Sequence, residues 1–183
     1  SSDLLAVGPG AVASGEVGLT SKAKSNLPSP SGPFLGREEE LGAVTRVLRS
    51  DEVQLVTLLG FGGVGKSTLA LRTGESLQGE FADGIWWIEA ESARDGDDLA
   101  LGVAAAAGLA LDPDDPVGSL ADSLQAKEAL LILDCLEGLI EGSALFLDRI
   151  LAACPDVKAL ATSRAVLGLP VEHIHEIHGL KRS

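Results

Sequence analysis

Methionine and tyrosine are absent from this sequence, and aromatic residues make up only 3% of it. With 45% hydrophobic residues, the interior of one α/β domain of 183 residues has to be filled by aliphatic side chains. A start at Ser1-Ser2 without any methionine is what a piece excised from a longer protein would show. Cations are scarce: 14 Lys and Arg stand against 27 Asp and Glu, for a net charge of −13 and a pI near 4.5. That balance excludes a sequence-independent grip on nucleic acid, which rests on clustered Lys and Arg, and disfavours an anionic membrane surface. No apolar run reaches the length of a membrane span, and Leu4-Leu5-Ala6-Val7 lacks the basic lead of a signal peptide. A cytoplasmic protein is expected. Cys135 and Cys154 offer no metal-ligand spacing; two reduced thiols is the leading reading, with a disulfide as the alternative.

What is present begins with Gly60-Phe61-Gly62-Gly63-Val64-Gly65-Lys66-Ser67, a complete G-x-x-x-x-G-K-[ST] pattern directly after the apolar run Val53 to Leu59. Strand, glycine-rich turn and helix in that order make a phosphate loop. Glycines let consecutive N–H groups converge on phosphate oxygens, Lys66 supplies positive charge to the β- and γ-phosphates, and the Ser67 hydroxyl suits Mg²⁺. The helix expected from Lys66 to Leu77 points its positive end at the same anion. The chain is therefore expected to bind a nucleoside triphosphate.

Residues 1–33 are rich in Gly, Ser, Pro and Ala and read as a flexible linker, with order beginning near Phe34 and the nucleotide-binding domain filling 34–183. Glu38, Glu39 and Glu40 open a helix that closes with Arg46 and Arg49, a charge order that suits the helix dipole. Strands are expected at Val53–Leu59, Gly84–Glu89, Ala129–Leu133, Val157–Thr162 and Val171–Ile177. The helices between them run from Asp97 to Gly108, over Val117–Leu124 and over Ala144–Ala153. Near-continuous apolar strands alternating with helices predict a five-stranded parallel sheet covered on both faces, a three-layer α/β P-loop NTPase fold. Trp86 and Trp87 read as one core and one exposed strand residue.

Leu130-Leu131-Ile132-Leu133-Asp134 is an aliphatic strand ending in a carboxylate, where Asp134 would hold Mg²⁺ opposite Ser67. The next position, which in fast NTPases carries a second acid, holds Cys135. Glu137 is either a substitute base or, as favoured, simply the start of the next helix. Thr162-Ser163-Arg164 closes the fourth strand. If that strand lies between the phosphate-loop strand and the Asp134 strand, these side chains emerge beside the γ-phosphate, where Arg164 would sense charge; the alternative is a surface arginine. His173 and His175 share one strand face; an exposed edge strand is favoured over a metal site.

Phe34-Leu35-Gly36-Arg37-Glu38, the Gly60–Ser67 loop with Thr68-Leu69-Ala70, Leu130–Asp134 and Ala161-Thr162-Ser163-Arg164 occur in the order seen in the NB-ARC group of STAND ATPases. The chain resembles this AAA+-class family of signal-transduction switches from about Leu27 to Leu180. The resemblance implies that Phe34, Leu35, Gly36 and Arg37 pack around adenine and ribose. It places Gly60, Gly62, Gly63, Val64, Gly65, Lys66, Ser67 and Thr68 on the phosphates, with Thr68 at the α-phosphate. It also implies ATP or ADP with Mg²⁺ at Ser67 and Asp134, catalytic roles for Lys66, Asp134 and Arg164, and self-association or effector domains in a longer protein. The family's second acid falls on Cys135, so slow hydrolysis at most is expected. Its lid and winged-helix modules, with the histidine that reads ADP, are expected to lie outside this chain. A small-molecule kinase and a nucleotide-binding scaffold that never hydrolyses are the competing functions. The acidic, arginine-poor stretch from Ala90 to Gly118 counts against the kinase.

Overall fold

A computed structural model describes residues 24–29, 36–62 and 64–178. The strands are β1 (Leu55–Leu59), β2 (Ile85–Glu89), β3 (Leu130–Asp134), β4 (Lys158–Ser163) and β5 (Glu172–Glu176). The helices are α1 (Glu38–Arg49), α2 (Lys66–Ser76), α3 (Gly96–Ala107), α4 (Pro116–Leu124) and α5 (Ile140–Ala153). All strand pairs are parallel, in the order β2-β3-β4-β1-β5. β4 thus separates the phosphate-loop strand from the Asp134 strand. Direct pairing of β3 with β1 would have supported the kinase alternative; the inserted β4 counts against it.

Period-two side-chain alternation sorts each strand between two cores. Val56, Leu58, Trp87 and Ile132 face α1 and α2, while Leu55, Trp86, Leu131 and Leu133 face α3, α4 and α5. Both tryptophans are therefore buried, at 8% and 9% exposure, correcting the expectation that one faces solvent. Helices on both sides of the parallel sheet cover both faces even of its edge strand β2, so Trp86 packs into one core and Trp87 into the other. Local signals fix the helix ends. Asp95 caps α3 by accepting from the Asp98 N–H at 2.9 Å, and Gly108, at φ 73°, ends it; Asp115 caps α4 just before Pro116. α5 begins four residues before the expected Ala144. Leu139 and Ile140 pack on the core and Ser143 is buried, so tertiary packing overrides the low helix propensity of Gly142.

Lys24 to Ser29, assigned by sequence to the linker, runs along the outer edge of β2. Ser25 bridges Ile85 in parallel, and the Ile85 N–H donates to the Lys24 carbonyl at 3.0 Å. The Asn26 side chain then stands in for a peptide group: its amide donates to the Trp87 carbonyl at 3.0 Å, and its oxygen accepts from the Trp87 N–H at 2.6 Å. Leu27 follows into the α2 side of the core.

Replacing Asn26 with alanine leaves both Trp87 backbone groups without these partners. A loss of about 1–2 kcal/mol in unfolding free energy is expected, from two hydrogen bonds of ordinary net worth. Urea denaturation followed by tryptophan fluorescence measures it; an unchanged midpoint would mean that the segment does not secure the edge.

Candidate functional site

The C-terminal ends of β1, β3 and β4 converge on one carboxylate. Asp134 is 7% exposed, and its Oδ1 accepts from the Ser67 hydroxyl at 2.7 Å and from the Thr162 hydroxyl at 2.6 Å. Among the described residues no Lys or Arg pairs with it. A buried anion with neutral donors only is costly in a low-dielectric setting, and a cation is the group that would compensate it. The donor set is a carboxylate and a hydroxyl, the hard oxygens that Mg²⁺ prefers. The residues present therefore fit the ion expected from the sequence.

The phosphate loop leaves β1 at Gly60, whose N–H donates to the Ser163 carbonyl at 3.2 Å. A Cβ on Gly60 would lie 2.8 Å from the Ile177 carbonyl oxygen, so no other residue fits without a shift. Gly65, at φ 93°, turns the chain into α2, and no side chain caps that helix. Its first N–H groups are thus left for an external acceptor, and a phosphate is such an acceptor. Lys66 is buried at 8% exposure, with Nζ donating to the carbonyls of Gly60 at 2.6 Å and Phe61 at 3.1 Å. Two of the three ammonium donors are spent within the loop, and one remains for a ligand.

The structure brings Lys66, Ser67 and Asp134 together, with Gly60, Gly62, Val64, Gly65 and an exposed Thr68 around them. Gly63, Phe34 and Leu35 lie outside the described residues. Arg164 is exposed in the turn after β4 and makes no hydrogen bond or ion pair among the described residues, so it is not joined to the cluster. Arg37 is 7% exposed and binds the protein itself: Glu40 through one terminal nitrogen, and the carbonyls of Val64 and His178 through the other. Among the histidines, His173 is exposed on the edge strand, while His175 Nε2 lies 3.3 Å from Glu40 Oε2. That acidic partner on α1 was invisible to a reading of β5 alone. No cluster of metal-ligating residues occurs elsewhere among the described residues.

Thr162 and Ser163 do not emerge beside the loop as the sequence suggested. Both are fully buried; Thr162 also accepts from the Cys135 N–H at 2.8 Å, and Ser163 bonds the Ala165 backbone. Thr162 therefore orients Asp134 instead of meeting a ligand. Cys135 sits in the left-handed region at φ 70°, with its thiol 3.7 Å from Asp134 Oδ2. Burial first, then the charges of Asp134, Glu137 and Glu91, push the thiol from 9.0 up to about 11. It stays protonated at neutral pH and cannot act as a base. Glu137 lies exposed in the turn before α5 and does not begin the helix. Glu91 was missed altogether. It stands just past β2, and only the pairing of β2 with β3, where the Ala90 N–H donates to the Asp134 carbonyl at 2.9 Å, brings it near.

The NB-ARC domain family matches residues 37–165. An uncharacterized protein of Mycobacterium tuberculosis is 36% identical over 140 residues, covering 76% of this chain and 35% of the relative. A second protein of that organism, described as an HTH-type transcriptional regulator, is 36% identical over 65% of this chain and 13% of its own length. The chain thus spans about a third or less of these relatives. Among solved structures, a STAND protein with a tetratricopeptide repeat sensor from Pyrococcus horikoshii aligns with a TM-score of 0.57 at 16% identity, over 85% of this chain and 25% of that one. The ORC2 protein of Aeropyrum pernix, solved in ADPNP-ADP complexes, aligns at 0.54 and 17%, over 75% and 43%. At those identities the likeness speaks for the fold.

The raised thiol has a direct readout. Alkylation by iodoacetamide at pH 8 is expected to modify Cys135 about 100-fold more slowly than the unfolded chain's thiols, because the thiolate is the nucleophile and its fraction falls tenfold per pH unit of displacement. The rate should climb steeply toward pH 10. Fast labelling of Cys135 at neutral pH would overturn this account of its surroundings.

Proposed function

The chain belongs to the NB-ARC family of nucleotide-binding ATPase domains, and on that premise we propose that it binds Mg-ATP and Mg-ADP as the core of a signal-transduction switch and hydrolyses ATP slowly. The observation that carries this reading is the buried Asp134 carboxylate, held by Ser67 and Thr162 and lacking a cation beside a loop whose helix is uncapped. Ser67 and Asp134 would hold Mg²⁺, which when bound would neutralise charge on the β- and γ-phosphates. Lys66 and the N–H groups of the loop would bind the phosphates, with Thr68 beyond them and Phe34, Leu35 and Gly36 toward the base. Arg164 would sense the γ-phosphate only if the turn after β4 moves inward. The M. tuberculosis relative described as a transcriptional regulator supports a regulatory setting within a longer protein, and self-association would go with that switch reading. No helix among the described residues is long and apolar enough to cross a membrane, and a cytoplasmic role, where nucleotide is supplied, fits the reading.

Slow turnover follows from Cys135. Hydrolysis needs a water polarised opposite the γ-phosphate, and a protonated thiol gives it no base. The competing reading, a scaffold that binds nucleotide and never hydrolyses it, rests on the same residue.

Lys66→Ala removes a charge-assisted contact and is expected to weaken ATP binding by about 1.5–3 kcal/mol. Calorimetric titration of both proteins tests this, and equal affinities would refute the assignment. Phosphate release under saturating Mg-ATP separates switch from scaffold. A positioned base is typically worth ~10²–10⁴-fold, so the wild type should turn over well below the roughly 1–10³ per second of ordinary enzymes. Cys135→Asp should raise the rate. No release from either protein favours the scaffold, whereas rapid release from the wild type would show that another group, Glu91 or Glu137, supplies the base.

A further inference from the structure

The Arg37 side chain makes more of its contacts with the loop and its surroundings than any base-binding role requires. One terminal nitrogen of the guanidinium bonds Glu40 on α1. The other donates twice, to the Val64 carbonyl inside the phosphate loop and to the His178 carbonyl just past β5, the latter at 2.9 Å. A Cβ on Gly65 would lie 3.4 Å from Arg37 Nε, so the guanidinium packs directly under the left-handed turn that starts α2. Glu40 in turn meets His175 on β5. One buried cation therefore touches the loop, the first helix and the backbone leaving the edge strand.

We propose that Arg37 is a positioning residue: its guanidinium sets the Val64–Gly65 turn of the phosphate loop and ties that turn to the chain following β5 at His178. A planar fork suits this, because two donors on one nitrogen reach two carbonyls while the other nitrogen holds a carboxylate; an ammonium offers no such fixed geometry. The Val64 carbonyl is held toward the Arg37 guanidinium, an orientation that would leave the loop's N–H groups for phosphate. A change at the Val64–Gly65 turn would reach residue 178 through this side chain, beside the direct backbone contacts of Ile177 with Leu59 and Gly60, and a change there would reach the loop.

Its nucleotide arm rests on the reading above that the loop binds ATP; its exchange arm does not. Hydrogen exchange on the nucleotide-free chain compares wild type with Arg37→Lys. The Leu69 amide, bonded to the Gly65 carbonyl, and the Ile177 amide, bonded to the Leu59 carbonyl, are expected to exchange at least about tenfold faster in the variant, the factor expected from losing a charge-assisted hydrogen bond, with β3 and β4 unchanged. Unchanged exchange at both amides would overturn the proposal, and so would a uniform rise across the sheet, which marks a merely structural loss. Titration with ATP and with adenosine then separates positioning from base contact. Positioning weakens ATP at least about tenfold and leaves adenosine alone, whereas a direct base contact weakens both alike and would overturn the proposal. If the wild type binds no ATP, the functional reading fails while the exchange result still decides on Arg37. Should Arg37→Lys not fold, Glu40→Gln frees the other half of the guanidinium, and faster exchange at the Leu69 and Ile177 amides is expected there too; no change would count against the role.

Discussion

A buried carboxylate that, among the described residues, is met by hydroxyls and by no Lys or Arg is the constraint around which this molecule is arranged. Asp134 ends β3, Ser67 opens α2 and Thr162 ends β4, so a single oxygen joins the phosphate-loop helix to two strands. Two hydroxyl donors soften the cost of burying that charge without cancelling it. The cluster is thus neutral in donors and negative in charge, held ready beside a loop that presents N–H groups. Thr162 serves twice, since the same oxygen accepts from the Cys135 N–H and so fixes the backbone immediately after the carboxylate.

An anion-binding loop on a chain with net charge −13 illustrates how local such recognition is. Over distances beyond a Debye length of about 8–10 Å, the acidic surface is screened by salt. At contact, oriented backbone N–H groups and one ammonium decide the outcome. The overall charge governs solubility and the choice of macromolecular partner, and the loop governs the small ligand.

Most of the sheet was legible because apolar runs of strand length alternate with helical segments, and because the glycine loop and the strand-end Asp134 mark where two of the strands finish. From sequence, strand order is only a condition on whether the Thr162-Ser163-Arg164 strand separates the other two, and the paired registers alone decide that it does. What escaped has a common cause: contacts between residues far apart in sequence and of ordinary type. Asn26 closes the edge of β2 with a side chain that imitates a peptide, and no periodicity announces that. Strand alternation assigns one of Trp86 and Trp87 to solvent, although the helical layers expected on both faces leave room for neither to be exposed. Glu91 and Asp134 are brought near each other only by strand pairing. Thr162 is expected from sequence to face a phosphate, but its hydroxyl turns to Asp134 Oδ1, an acceptor on the neighbouring strand that the sequence alone does not place.

Cys135 carries a further consequence in its backbone. A side-chain-bearing residue held at φ 70° stores strain on the order of 1–3 kcal/mol, and β-branched or bulky residues suffer most there. Asparagine, aspartate and glycine adopt this conformation most readily. Drift at this position is therefore filtered by conformation before it is filtered by chemistry, and the acid that the family carries at the matching place is among the residues the turn admits with least strain. In evolutionary terms the step between a thiol and a carboxylate beside Asp134 is one that the scaffold leaves open, and the charge at this corner can change without rebuilding the fold.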